Sequence, residues 1–364
     1  MKLEDLAEIS SGQGAPQEES AFSDSGYPFI RAGNLESLLV SNNEYASCKL
    51  INTSTAQKYK LYLFPRNTIV FAKSGMSATK GRIYSLMNDS YIVNHLATVL
   101  PNPKLLHHSY LKYFLVAFSP SRLIKDSAYP SISLSDIKQI QIPLPPLEEQ
   151  HRIVKILDLA QSLVEKRKQV IAYLDDYIKA VFLDMFGDPV SNPKGIKTLK
   201  GGELFCFSSG KFNPTKNLSQ EYSYPTYGGN GITGFSQKYL IDYPTIVIGR
   251  VGAYCGSIHK ILSKSWVTDN AIFISKFKLK VNLDFLYYQF IFLNFNRFSD
   301  FSGQPKITQK PLESTNYLFP DLVDQNKFSK IVQKTESLKQ IMLSQLKELE
   351  NNFQAQLQRA FRGD

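Results

Sequence analysis

The chain has 364 residues, 43% of them hydrophobic, and a formal net charge of +10 at pH 7. That is enough apolar material for more than one core, and an excess of positive charge that suits an anionic partner. It has no run of about 18 apolar residues, and Met1-Lys2-Leu3-Glu4-Asp5 lacks the basic start and apolar stretch of an export signal, so a cytoplasmic protein with no membrane contact is expected. Cys48, Cys206 and Cys255 are odd in number and widely spaced, which excludes a disulfide framework or zinc knuckle and predicts three reduced thiols.

Residues 1 to 146 carry strand signals in Thr68-Ile69-Val70-Phe71 and Tyr91-Ile92-Val93, short β-branched or aromatic runs, followed by an apolar-periodic helix over 109–118. Residues 147 to 186 then read as one long helix. Ile153, Leu157, Ala160, Val164, Ile171, Leu174, Ile178, Val181 and Met185 recur at alternating spacings of three and four, with Arg167 the one interruption. This narrow apolar seam wants a single partner helix. Glu148 and Glu149 suit the positive end of the helix dipole, and Gly187 followed by Pro189 ends it.

Residues 189 to 319 repeat the first kind of segment, with strands predicted at Thr245-Ile246-Val247-Ile248 and Ala271-Ile272-Phe273-Ile274 and a helix over 283–295. Gly229-Asn230-Gly231-Ile232-Thr233-Gly234 has the G-x-G-x-x-G spacing of dinucleotide-binding turns. Strand and turn rather than helix follow it, no acidic residue lies about 20 positions on, and Arg31-Ala32-Gly33-Asn34-Leu35 in the first half lacks the glycines; a turn cluster is expected instead. A second long helix covers about 322–361, with Phe328, Val332, Met342, Leu346, Leu349, Phe353 and Ala360 on its stripe and Thr335, Lys339 and Gln356 diluting it; Gly363 follows its last aromatic residue. A helix of about 40 residues is roughly 60 Å long, too long to stand against one small domain, and the other copy is the nearest partner.

The two halves are copies. Pro130 matches Pro305, Ile132 matches Ile307, Ser133 matches Thr308, Ile137 matches Leu312, Pro145 matches Pro320 and Gln150 matches Gln325, and the register of 175 residues holds to Phe186 and Phe361. Earlier parts match with gaps: Ile9-Ser10-Ser11-Gly12 resembles Phe207-Ser208-Ser209-Gly210, and Thr68-Ile69-Val70 with Lys73 and Gly75 resembles Thr245-Ile246-Val247 with Arg250 and Gly252. The first helix leads into the second globular segment and the second ends the chain, so a mutual pairing must be antiparallel, with an approximate two-fold axis and a globular segment at each end. Their expected separation is on the order of one to two turns of B-DNA at about 34 Å per turn. Similar frames with different loops predict a bipartite, asymmetric target. The fold class is α/β in the mixed α+β sense, with twisted mixed sheets in two globular segments joined by two long antiparallel coiled-coil helices.

Charge falls on the globular segments: residues 1 to 146 carry +3 and residues 189 to 319 carry +8, while residues 147 to 188 with 320 to 364 sum to −1. Arg and Lys grip phosphates or guanine edges, and Asn and Gln can read adenine. The loop candidates for DNA contact are Arg31, Asn34, Lys73, Lys80, Arg82, Lys211, Asn230, Arg250, Gln304, Lys306 and Lys310. An exposed, solvated side chain is the plain alternative at each; Lys73 and Arg250, at matching places before Gly75 and Gly252, are the least accidental pair.

Catalytic patterns are missing. There is no cofactor-binding glycine signature and no Asn/Asp-Pro-Pro-aromatic element, Leu144-Pro145-Pro146-Leu147 opens a helix, and Asp136-Ile137-Lys138 has no upstream carboxylate partner. His95, His107, His108, His151 and His259 do not fall at metal-ligand spacing with cysteines or acids. No catalytic residue, metal or cofactor is expected.

The run Ile142-Pro143-Leu144-Pro145-Pro146-Leu147-Glu148-Glu149-Gln150-His151-Arg152-Ile153, continued to Phe186-Gly187-Asp188, resembles the conserved helical region of type I restriction-modification specificity subunits. The resemblance covers the whole chain, with Phe361-Arg362-Gly363-Asp364 closing the second copy; Phe319-Pro320-Asp321-Leu322-Val323-Asp324-Gln325 departs from it, lacking the double proline and having Asp for Glu. It implies target recognition domains at 1–146 and 189–319, conserved helices at 147–188 and 320–364, and no catalysis by the chain itself. The implied partners are double-stranded DNA, two methyltransferase subunits docked on the outer helix faces and, optionally, restriction subunits; Lys166-Arg167-Lys168 is either a contact to spacer phosphates or a solvated charge run, the latter being the plainer reading. Three other readings stay open: a related restriction system with modification and cleavage fused in a partner, an enzyme binding S-adenosylmethionine, and a coiled-coil scaffold without DNA function.

Overall fold

The computed structural model describes residues 1–298 and 305–361. The chain divides into two units, Met1–Arg167 with Gln345–Asp364, and Lys168–Ser344. Both long helices, Leu147–Phe186 and Leu322–Phe361, contribute to each unit.

The first unit contains strands β1 (Ala7–Ser11), β2 (Tyr27–Ile30), β3 (Lys49–Ile51), β4 (Leu63–Phe64), β5 (Ile69–Ala72), β6 (Ile83–Ser85), β7 (Ser90–Ile92) and β8 (Leu96–Pro101). They form two sheets, β1-β8-β5-β6, antiparallel throughout, and β3-β2-β7-β4, in which β2 and β7 run parallel. Strand β5 explains the layering, because side chains alternate across a strand. Ile69 and Phe71 join the core under the helix His108–Phe118, with Tyr110, Leu111 and Phe114, whereas Val70 and Ala72 face Phe29, Ile30, Tyr91 and Ile92 of the other sheet. The unbroken apolar run thus serves two cores.

The second unit repeats this plan with β9 (Thr198–Lys200), β10 (Phe205–Ser209), β11 (Tyr224–Gly228), β12 (Gly231–Ser236), β13 (Thr245–Gly249), β14 (Ile258–Ile261), β15 (Trp266–Val267), β16 (Ala271–Phe277) and β17 (Asn316–Leu318). The sheet β10-β16-β13-β14 has the order of β1-β8-β5-β6, and β11 runs parallel to β15 as β2 does to β7. In β13, Ile246 and Ile248 pack under the helix Leu283–Leu293 while Val247 faces Ile261, Val267 and Phe273. That helix ends two residues before the expected position because Asn294 takes a left-handed cap at φ 47°. The glycine-rich segment 229–234 belongs to the hairpin of β11 and β12, not to a strand-to-helix turn.

Each unit pairs the long helices antiparallel. In the first, Val154 and Leu157 share a core with Leu357, Phe353 and Phe361, and farther along the Arg167 guanidinium donates to the Gln345 side-chain oxygen. In the second, Lys339 Nζ meets Asp175 Oδ1 at 2.5 Å and the Phe182 and Phe328 rings lie 5.5 Å apart. The seam is broader than the expected stripe: Val154, Phe182 and Phe186 are buried beside the half-buried Ile153, Val181 and Met185. Near each sheet domain a helix faces both its partner helix and the domain, so its apolar face widens by one position; Phe182 stacks on Phe285 at 5.7 Å and on Phe292 at 5.1 Å. For the same reason Gln356 is not on the stripe. It is exposed, and Leu357, 2% exposed, takes the seat among Tyr110, Phe114 and Val154.

The repeated glutamine anchors each helix start. Gln150 is fully buried; its Nε2 donates to the Leu105 and Pro145 carbonyls at 2.9 Å, and its Oε1 accepts His107 N–H at 2.8 Å. Gln325 donates to the Pro320 carbonyl and accepts Asn282 N–H, both at 2.8 Å. At the other end of the first helix, Gly187 adopts φ 74° and its N–H returns to the Leu183 carbonyl at 2.8 Å, as a C-terminal cap.

Candidate nucleic-acid interface

In each unit one four-residue turn passes from one sheet to the other and gathers the surrounding loops. In the first unit it is Val93-Asn94-His95-Leu96, closed by Leu96 N–H to the Val93 carbonyl at 3.0 Å; in the second it is Thr268-Asp269-Asn270-Ala271, closed at 3.1 Å. Lys73 N–H donates to the His95 carbonyl and Arg250 N–H to the Asn270 carbonyl, both at 2.9 Å. Val93 N–H reaches the Ile30 carbonyl and Thr268 N–H the Tyr227 carbonyl. Ile132 N–H binds the Lys73 carbonyl as Ile307 N–H binds that of Arg250, and Gly75 N–H binds Pro130 as Gly252 N–H binds Pro305. The match of Lys73 with Arg250, read from spacing, is thus a match of backbone position.

The sheet edge comes very close at Gly12 and Gly210. A Cβ there would lie 2.0 Å from the Ile92 carbonyl oxygen or 2.1 Å from that of Thr268, so only glycine fits.

Of the candidate contacts, the turn brings Arg31 and Lys73 together in the first unit, since Arg31 follows Ile30. The Arg31 guanidinium lies over the Phe22 ring at 5.1 Å, which positions it while leaving the residue exposed. In the second unit it gathers Lys211, whose N–H binds the Val267 carbonyl, Arg250, and Lys306, bridged to Val251. Asn230 is exposed beside them in the β11–β12 hairpin, next to Gly229, whose Cβ position is 3.5 Å from the Asn270 carbonyl oxygen. Arg250 is half-buried: Nη1 donates to Ser209 Oγ at 3.2 Å, and Nε is buried with no partner among the described residues.

The remaining candidates stand apart. Asn34 spends its amide on the loop, accepting Arg31 N–H at 2.9 Å and donating to the Ser47 carbonyl at 3.0 Å. Arg82 is paired with Glu36. Lys80 is exposed at the end of the short helix Met76–Lys80, and Lys310 is exposed on Gln309–Ser314. Gln304 lies outside the described residues, as do Arg362, Gly363 and Asp364. Residues that spacing did not single out, Gln13, Asn94, His95, Asp269 and Asn270, sit at the gathered loops; the repeat carried the signal, since Asn270 and His95 are themselves 175 residues apart.

Three histidines do meet: His107 lies 4.6 Å from His108 and 4.7 Å from His151 between ring centroids. Burial and the His151 charge hold His107 below the usual imidazole range, and burial with the neighbouring charges pushes His108 down to about 4. Among the described residues no group of His, Cys, Asp or Glu is arranged to hold a metal ion, and Asp136 is paired with Lys125 at 3.0 Å. No helix of the described residues is long and apolar enough to cross a membrane.

The family model of the type I restriction modification DNA specificity domain matches residues 1–173 and 193–351. The chain belongs to this family. Among relatives, the type I restriction enzyme EcoprrI specificity subunit of Escherichia coli is 27% identical over 308 residues, covering 76% of this chain and 73% of that protein. The MjaIX specificity subunit of Methanocaldococcus jannaschii is 28% identical over 177 residues, covering 47% of this chain and 39% of that protein. The same fold occurs in a crystal structure of the type I restriction-modification S subunit from M. genitalium, with TM-score 0.60, 17% identity and coverage of 100% and 96%. It occurs again in a structure described for complex assembly and conformational transition of the type I system, with TM-score 0.63, 17% identity and coverage of 100% and 97%. The duplicated sheet domains and long helices share the fold of these structures, and the gathered turns lie within the residues that the DNA specificity model matches.

Proposed function

We propose that this specificity subunit recognises a bipartite, asymmetric sequence in double-stranded DNA and docks two methyltransferase subunits, with restriction subunits as optional further partners. In this reading the chain is a cytoplasmic protein without catalysis of its own, and its domains are the recognition domains 1–146 and 189–319 and the conserved helices 147–188 and 320–364. The observation that carries it is the duplicated turn: the backbone bonds that tie it to Ile30 or Tyr227 and to Lys73 or Arg250 recur in both units while the exposed side chains differ, Asn94 and His95 against Asp269 and Asn270. One frame with two side-chain sets suits two different half-sites.

The basic excess on residues 1–146 and 189–319 suits a phosphate backbone, and Arg31, Lys73, Lys211, Asn230, Arg250 and Lys306 are its contact candidates. Exposed apolar side chains support docking on the long helices: Leu159 is 63% exposed in the first unit, and Tyr173 and Ile341 are 66% and 56% exposed in the second. The test is selection of bound duplexes from a randomised DNA pool by the full chain. Enrichment of a split motif, with binding that weakens steeply as salt rises, is the expected result; binding without sequence preference, or no salt-sensitive binding, would contradict the reading.

A further inference from the structure

The central residues of the two matched turns share three properties. All four, Asn94, His95, Asp269 and Asn270, are exposed. The turns that carry them are tied by backbone bonds to strands of both sheets and to the Lys73 or Arg250 segment, so the side chains are held at a set place. Yet the fold asks little of those side chains. No side-chain hydrogen bond is made by Asn94, Asp269 or Asn270 among the described residues, and His95 makes one, between Nδ1 and Ser74 Oγ at 2.8 Å. A rigid backbone carrying polar groups with unspent hydrogen-bonding capacity is a recognition element rather than a packing one.

Charge separates the roles. Lys73 and Arg250, at equivalent backbone positions, are both cationic and suit an invariant feature of DNA, the phosphate. The turn residues change from Asn-His to Asp-Asn between units, and an acid is the wrong group for phosphate. Asp269, without an ion pair among the described residues, would be repelled by a phosphate but would accept from the amino group of cytosine. Asn94 and Asn270 can each both donate to and accept from adenine. The Ser74 contact fixes the His95 ring through Nδ1 and leaves Nε2 as its reading atom.

We propose that Asn94-His95 and Asp269-Asn270 read base edges, one pair for each half-site, with Ser74 as a positioning residue for His95. This rests on the DNA-recognition reading above and names the residues that would give each half its specificity.

The full chain and its variants are each given a pool of randomised duplex DNA, and the bound fraction is sequenced. His95→Ala should relax preference by about tenfold at one or two adjacent positions of one half-site and leave the other half intact. Asn270→Ala should relax the opposite half, and Ser74→Ala should relax the His95 position more weakly. His95→Asn, which installs the side chain of the matching position, should change the preferred base there rather than erase it, a result that loss of folding cannot mimic. A motif unchanged in all four variants overturns the proposal, as does weaker binding that is uniform across sequences. If the unaltered chain enriches no motif, the DNA-recognition reading itself has failed, which is a distinct result from a motif that the variants preserve.

Discussion

The side-chain oxygen of Gln150 accepts the backbone N–H of His107 at 2.8 Å, while its amide donates to the carbonyls of Leu105 and Pro145 at 2.9 Å. A fully buried side chain near the start of the first long helix thereby fixes where that helix leaves its domain. Gln150→Ala would strand those groups in a dry site, at about 2–3 kcal/mol. Urea unfolding of the variant should show that loss, and Gln325→Ala should show a similar loss in the second unit.

Leu357 is the helix residue most deeply set in the first unit's core on the C-terminal helix, 2% exposed among Tyr110, Phe114 and Val154. Leu357→Ala should destabilise that unit by roughly 2–4 kcal/mol, whereas Gln356→Ala, at an exposed site, should change stability by less than about 0.5 kcal/mol. Hydrogen exchange should place the Leu357→Ala loss in residues 1–167 and 345–361.

His108 gives the first unit an acid-sensitive point. Burial, then the His107 ring and the charges of Arg66 and Lys112, push its pKa from 6.5 down to about 4. The unfolded chain therefore takes up a proton at a pH where the folded chain does not. This contribution to stability is full above about pH 6.5 and is lost as pH falls toward about 4. The second unit has Leu283 at the matching position. His108→Leu should accordingly flatten the decline in urea midpoint between pH 7 and pH 5; an unchanged decline would show that other groups carry it.

Lys73 is read as a phosphate grip. Lys73→Ala should weaken DNA binding for all sequences alike and lower the slope of log affinity against log salt by about one. A selective loss at one base position would instead make it a base reader.

The repeat made much of this architecture legible. Gln150 and Gln325 and the two helix spans were matched from a constant spacing, because a helix of fixed length tolerates no insertion, and Lys73 and Arg250 from a local pattern that survives the gaps around it. Strands β5, β7, β13 and β16 were visible as apolar runs. Strands β1, β2, β10 and β11 were not read as strands, since Ser, Gly, Pro and Tyr dilute their pattern and pairing with distant strands holds them in place. The partners of Asn34 and Arg82, Ser47 and Glu36, were not legible, because the fold brings them in from elsewhere. His95 was weighed only as a metal ligand, for the opposite reason: a lone histidine has no other pattern until Ser74 and Lys73 are brought beside it.

The most direct measurement of the central claim is a map of methylated bases across a genome carrying this chain and its methyltransferase partner, repeated after residues 189–319 are exchanged for those of another family member. The account predicts a split motif in which one half changes and the other stays as it was. A single undivided motif, or a change in both halves from one exchange, would contradict it.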